Sequence, residues 1–257
     1  MILIDTHTHL FLEQFDDDRN KVVEDSIKNG VKKLFIPNID SSTTEKVVKM
    51  GKDYPGICYP IIGLHPTSVK GNYREELEHV EQWLSKEKFY GIGETGIDLY
   101  WDKTFKKEQE EAFRYQINLA KRLGLPLIIH SRESFDEIFS VVDELNDEKL
   151  KGVFHSFTGT IEQAKKILSY KGFKIGIGGI VTFKNSGLAN VVAKIDVGHL
   201  VLETDSPYLA PTPMRGRRNE SSYLKLIAQK LADVYCVDIE TVANITSQNA
   251  KKLFAIA

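Results

Sequence analysis

The sequence predicts an α/β fold, a single (β/α)8 TIM barrel with its active site at the carboxyl ends of the strands, from three observations. Eight short apolar runs alternate with stretches of helical period; such alternation gives a parallel sheet, and a count of eight favours closure. A length of 257 residues is the usual size of this barrel. The chemically capable side chains His7, His9, His65, Glu94, His130, His155 and Asp205 stand at the carboxyl ends of the runs. Those ends converge on one mouth in a barrel and spread along an edge in an open sheet.

Taken in order, Ile2-Leu3-Ile4 is a first strand that feeds Asp5-Thr6-His7-Thr8-His9. Val22, Val23, Ser26 and Ile27 follow helical spacing, closed by Asn29-Gly30, and residues 31–39 form the second strand. Ser42 and Glu45 have capping-box spacing ahead of Val47 and Val48. The third strand spans 57–64, with His65-Pro66 at its end. Leu77, Val80, Trp83 and Leu84 make the next helical stripe, before a strand over 90–93 and then Glu94. A longer stripe, Phe105, Gln109, Ala112, Phe113, Gln116, Ile117 and Ala120, stops at Gly124.

Residues 127–129 then run into His130, Ser134 and Glu137 repeat the capping-box spacing, and Val153-Phe154 leads to His155. Thr160 and Gln163 open a further helix, and 173–177 and 200–202 are the last two strands. Leu224, Ile227, Ala228 and Leu231 give a helix, and 238–254 reads as one or two more. No Pro-, Gly- or Ser-rich linker interrupts the count, so residues 1–257 are expected to form one domain.

Composition narrows the class. Hydrophobic content of 42% and charged content of 27% suit a soluble globular chain. No basic leader or long apolar span is evident, so a cytoplasmic protein without membrane association is expected. Cys58 and Cys236 show no CxxC pattern and read as core thiols, not metal ligands. A net charge of -2 gives no general attraction to nucleic acid, so such a substrate needs a local basic patch and metal ions.

The strand-end residues are metal chemistry. His7 and His9 can converge on one cation, and four histidines with two carboxylates exceed what one tetrahedral ion takes. Two ions are implied, with a carboxylate such as Glu94 able to bridge them. Imidazole and carboxylate donors suit Zn, Mn or Fe, with Mg the harder-ligand option.

These stretches resemble a known family. Asp5-Thr6-His7-Thr8-His9, Gly63-Leu64-His65-Pro66, Gly93-Glu94-Thr95-Gly96-Ile97-Asp98, His130-Ser131-Arg132, His155-Ser156-Phe157-Thr158-Gly159 and Glu203-Thr204-Asp205-Ser206-Pro207-Tyr208-Leu209 are similar to the motifs of the TatD family of metal-dependent deoxyribonucleases, across the whole chain. The resemblance implies a binuclear hydrolase in which His7, His9, Glu94 and Asp205 serve one ion and Glu94, His130 and His155 the other. It implies Mg- or Mn-dependent exonuclease action on DNA from the 3′ end, and keeps open a second reaction, deacylation of D-aminoacyl-tRNA. Hydrolysis of a small carbonyl substrate, as in amidohydrolases, is the remaining alternative. Residues 211–220 resemble the family's basic loop but depart from it at Met214 and Ser221.

On this reading a metal-activated water attacks phosphorus and Asp205 accepts its proton, with Glu94 shared between the cations. Arg132 and Arg215 are the phosphate-holding candidates. Arg217 and Arg218 either steer the strand or form a solvated cluster. His65 is assigned to substrate positioning, with a structural role as the alternative. Tyr100 and Trp101 either stack on a base or pack at the rim. Strand alternation puts Asp5 inward of His7 and Glu203 inward of Asp205, so at least one is expected to fix the tautomer of a ligating histidine.

Overall fold

The computed structural model describes residues 1–257. Its strands are β1 (Leu3–Asp5), β2 (Val31–Pro37), β3 (Cys58–Ile61), β4 (Ile92–Asp98), β5 (Leu127–Arg132), β6 (Gly152–Phe154), β7 (Phe173–Ile177) and β8 (Leu200–Leu202). Between and after them run α1 (Arg19–Lys28), α2 (Thr44–Asp53), α3 (Tyr73–Leu84), α4 (Lys106–Leu123), α5 (Phe135–Leu145), α6 (Ile161–Ser169), α7 (Leu188–Val192), α8 (Leu224–Tyr235) and α9 (Ile239–Phe254). β1–β2–β3 and β4 to β8 pair in sequence order, all parallel.

Two seams close these arcs into a (β/α)8 barrel. At one, Ile62 N–H donates to Gly91 O and Gly93 N–H to Ile62 O. At the other, Thr6 N–H donates to Leu202 O at 2.9 Å, Asp205 N–H to His7 O at 2.9 Å and His9 N–H to Ser206 O at 2.8 Å. The second seam continues through buried hydroxyls: Thr8 and Ser206 lie 2.6 Å apart, and Thr204 Oγ1 donates to Asp5 Oδ2 at 2.6 Å.

Apolar side chains fill two layers. Ile4, Phe35, Tyr59, Ile61, Ile128, Val153 and Val201 meet Ala250, Leu253 and Phe254 of α9, which close the amino-terminal end of the barrel. Phe254 stacks on Phe35 at 3.9 Å. The larger layer packs the outward strand faces against the helices. Each fully buried Leu, Ile, Val or Phe contributes about 1.5–3 kcal/mol relative to exposure. Two buried glutamines on the apolar stripe of α4 face the sheet. Gln116 accepts from Leu64 N–H and donates to Thr95 Oγ1, while Gln109 accepts from Asp98 N–H. They clamp the upper half of β4, the strand that carries Glu94.

The elements depart from the sequence expectation in identifiable ways. β4 extends to Asp98 and β5 to Arg132, beyond their apolar runs, because Thr95–Asp98 pair with Ile129–Arg132. α7 has five residues, too few to show a helical period. The tail is one helix, α9. The capping box at α6 is complete, with Gln163 N–H donating to Thr160 Oγ1 and Thr160 N–H to Gln163 Oε1. The other two do not form. Ser42 Oγ donates to Asp40 Oδ1, and Thr43 is the N-cap of α2. Ser134 Oγ donates to Ile97 O and so ties α5 to β4, and Glu137 pairs with Lys106 at 2.7 Å. Cys58 is buried, but Cys236 is exposed in the left-handed turn after α8 and so is not a core thiol.

Gly96 has φ +140, and a Cβ there would lie 2.1 Å from the backbone oxygen of His130. Gly96→Ala is therefore expected to lower unfolding free energy by about 3 kcal/mol or more, as a backbone clash without room to relax does. Gly124→Ala, at φ +67 with open space around it, is expected to cost about 1–2 kcal/mol. Urea unfolding of both variants compares them; equal losses would contradict the packing described at β4–β5.

Candidate metal centre

Six strands or their extensions deliver the polar side chains to the barrel mouth. His7 and His9 lie on the extension of β1, held against β8 by the seam. Asp205 sits in the left-handed region, φ 56, on the opposite side of that seam. Glu94 lies inside β4, His130 inside β5, and His155 immediately after β6. His65 caps the short turn Pro66–Ser68, its Nδ1 taking Thr67 N–H at 3.1 Å. That bond leaves Nε2 facing Glu94 at 3.4 Å.

The donor atoms converge. His7 Nε2 lies 3.1 Å from His9 Nε2 and 3.1 Å from Glu94 Oε2, and His9 Nε2 lies 3.4 Å from Asp205 Oδ1. Bonds of about 2.1 Å to a tetrahedral cation place ligand atoms about 3.4 Å apart. His7, His9 and Glu94 converge closely enough for such an ion, and Asp205 forms a second convergent group with His7 and His155. The other oxygen of Glu94 faces a second set: Oε1 is 2.9 Å from His130 Nδ1, 3.4 Å from His65 Nε2 and 3.8 Å from His155 Nε2. His155 also stacks on His7 at 3.4 Å and lies 3.8 Å from Asp205 Oδ1. It therefore stands between the two sets, and His65, read from sequence as a positioning residue, shares the pocket of Glu94 and His130.

Glu203, Asp98 and Asp5 sit behind this shell in different ways. Glu203 Oε1 lies 3.0 Å from His155 Nδ1 but off the line of the ring N–H, so the contact is charge attraction more than a formed hydrogen bond. Gly176 makes room for it, since a Cβ there would stand 2.4 Å from Glu203 Oε2. Asp98 Oδ2 lies 2.9 Å from His130 Nε2 and fixes that ring. Sequence reading gave Asp98 no role, although alternation along β4 already put it on the face of Glu94. Asp5 is a correction. β1 ends at Asp5, and Ile4 points into the lumen, so Asp5 points outward; it accepts from Thr204 N–H, Thr204 Oγ1 and the backbone N–H of His7 and touches no imidazole.

Burial acts against every charge here, and the neighbours decide the outcome. Burial works to raise Glu94, but the imidazoles of His7, His65, His155 and His130 hold it well below the usual carboxylate range. Burial likewise opposes ionisation of Asp205, which His9, His155 and His7 keep low. His155 would lose its proton to burial, yet Glu203, Glu94 and Asp205 carry it up to about 10. His130 behaves the same way beside Asp98 and Glu94 and rises to about 9. His7, with burial and His155 acting together, falls to about 4. Without a cation, protons on imidazoles balance the carboxylates; a cation replaces those protons.

A cleft of about 650 Å³ opens above the cluster, lined by His9, His65, Glu94, Trp101, His130, Arg132, His155 and Asp205. Arg132 is exposed and lies over the Tyr100 ring at 3.9 Å. Arg215 is a second correction, since it lines a separate hollow with Phe183, Lys184, Asn185, Ser186 and Thr212, stacked on Phe183 at 4.2 Å. Arg218 is a third. It grips Asp18 through two bonds of 2.8 and 2.7 Å and Glu220 at 3.0 Å, so it ties the loop to the start of α1 and does not face the cleft. Arg217 is exposed. Tyr100 and Trp101 stand 49% and 68% exposed at the rim, where their rings meet edge to face at 4.9 Å. Sequence reading also missed the buried Asn219, whose side chain donates to Thr204 O and Tyr208 O; an isolated asparagine gives no signal.

Comparison with known proteins agrees with this geometry. The family described as TatD related DNase matches residues 4–255. The metal-dependent hydrolase YabD of Bacillus subtilis is 39% identical over 99% of this chain and 100% of its own. The 3′-5′ ssDNA/RNA exonuclease TatD of a Rahnella species is 32% identical, covering 97% of each chain. The crystal structure of YjjV, a TatD homologue from Escherichia coli, superposes with a TM-score of 0.93 at 28% identity over 99% of this chain and 98% of that one. With its barrel, its convergent imidazole and carboxylate donors and these relatives, the chain belongs to the TatD family of metal-dependent hydrolases.

Proposed function

We propose that this hydrolase cleaves phosphodiester bonds of single-stranded DNA from the 3′ end, at a site for two divalent cations. His7, His9, Glu94 and Asp205 would hold one cation and Glu94, His130 and His155 the other. The observation that carries the reading is Arg132, whose guanidinium stands at the rim of a cleft floored by the imidazole–carboxylate cluster and stacks on Tyr100 instead of pairing with a carboxylate. A phosphodiester answers both features, since its oxygens suit divalent cations and a guanidinium fork. The similarity to the 3′-5′ ssDNA/RNA exonuclease TatD of Rahnella supports the polarity of attack and the single-stranded substrate.

Divalent cations, Mg or Mn in use with Zn as an alternative occupant, supply Lewis-acid polarisation of the phosphoryl oxygens and acidify water. Asp205 accepts the proton of the attacking water. Its side chain is 16% exposed to the cleft, against 3% for Glu94, so a water reaches it. Glu94 stays ionised among the imidazoles and anchors both halves of the site. Arg132 keeps its planar face on Tyr100 and offers its N–H edges to the phosphate. His65, with Nδ1 committed to Thr67, keeps Nε2 toward Glu94 on the floor of the cleft, where it would help position the phosphate.

Three outcomes are expected. A 3′-labelled single strand is shortened with Mg or Mn and preserved with EDTA, whereas D-aminoacyl-tRNA is not deacylated; the opposite pair of results overturns the substrate assignment in favour of the ester reaction. Glu203→Gln and Asp98→Asn each weaken metal affinity about 10–100-fold, the usual effect of losing a group that orients a ligand, which titration calorimetry measures. Loading also depends on pH. His130 and His155 are held protonated to about 9 and about 10 in the cation-free protein, and ligation needs the free base, so affinity rises with pH and protons are released on binding. Calorimetry in buffers of different ionisation enthalpy counts those protons; pH-independent affinity between pH 6 and 9 would contradict the charge balance.

A further inference from the structure

Beyond the cluster, the cleft has one wall of unusual character. Trp101 lines it with 68% of its surface exposed, and Tyr100 beside it is 49% exposed. Large aromatics normally seek burial, so two adjacent ones held open at a site mouth call for a partner. They are also held firmly. Asp98 Oδ1 accepts from the backbone N–H groups of Tyr100 at 3.0 Å and Trp101 at 3.2 Å, while its other oxygen lies 2.9 Å from His130 Nε2. Gln109 fixes Asp98 in turn through its backbone N–H at 2.8 Å. One buried carboxylate thus sets both a metal-facing imidazole and the turn that carries the indole. Arg132 buttresses that turn, its guanidinium 3.9 Å from the Tyr100 ring and 5.2 Å from the Trp101 ring, and the two rings meet edge to face at 4.9 Å.

We propose that the Trp101 indole is a stacking platform for an unpaired nucleobase of the nucleotide flanking the scissile phosphate. The assignment rests on the phosphodiesterase reading above and deepens it. With Tyr100 and Arg132 supporting one side, the exposed indole is left for a flat ligand, while the guanidinium edges reach the adjoining phosphate. A base still stacked in a duplex cannot present its face to an indole, so the platform selects single strands or frayed ends. Stacking on an aromatic face tolerates any base, so little sequence preference follows.

The test uses the metal-loaded protein in a Trp83→Phe background, which leaves Trp101 as the fluorophore. The ligand is a single strand with phosphorothioate linkages at its 3′ end, compared with the same strand made abasic at the two nucleotides flanking the terminal linkage. The normal strand is expected to quench the indole, and the abasic strand to quench little and bind about tenfold more weakly, the order of one lost stack. Trp101→Ala should bind both strands alike and raise KM for the normal strand with little change in kcat, and Trp101→Phe should restore most of the difference. Equal quenching by both strands, or a Trp101→Ala variant that still prefers the normal strand, would overturn the platform. Cleavage of normal and abasic strands with equal KM sinks the platform and leaves the phosphodiesterase reading standing. Base-dependent quenching by a strand that is never cleaved with Mg or Mn does the reverse.

Discussion

The structure turns on one buried carboxylate. Glu94 lies within β4, and its two oxygens face different sets of imidazoles, His7 at 3.1 Å on one side and His130 at 2.9 Å on the other. An isolated carboxylate in such a place carries a penalty of several kcal/mol unless opposite charge surrounds it. Four of the imidazoles around it come from β1, β3, β5 and β6 or their extensions. The barrel and the charge balance are therefore coupled: the fold assembles the imidazoles, and the protons held by His130 and His155, or a cation's charge, permit the carboxylate to be buried.

The surrounding architecture maintains that arrangement. The hydroxyl seam of Thr8, Thr204 and Ser206 locks the extension of β1 to that of β8, which brings His7 and His9 to Asp205 across nearly 200 positions of sequence. Gln109 and Gln116 of α4 brace β4 from behind. Asp98 and Glu203 then hold His130 and His155 from below. The seam hydroxyls are bonded as burial requires, whereas the buried Nδ1 atoms of His7, His9 and His155 and Oε2 of Glu203 have no hydrogen-bond partner.

The fold and the convergence of histidines and carboxylates at one mouth were legible because both are periodic. Apolar runs mark strands, and histidines or carboxylates at their ends mark a shared mouth. What sequence did not convey depended on where regular structure stops. Alternation put Asp5 with His7 only if β1 continued, and it ends at Asp5, whereas Val201 and Glu203 keep the same face up to His155. Arg215 and Arg218 lie in an irregular loop whose path is set by Asp18, a partner 200 residues away from Arg218. Asp98 was readable in principle, being two alternations beyond Glu94, but its importance appears only once Gln109 and the Tyr100–Trp101 turn are seen to share it.

The most direct test of the account is where cations bind. Crystals soaked in Mn and measured for anomalous scattering should show two peaks, one on either side of Glu94, the first among His7, His9 and Asp205 and the second beside His130. A single peak remote from Glu94, or none at all with the cluster intact, would contradict the claim that this carboxylate is the shared centre of the site.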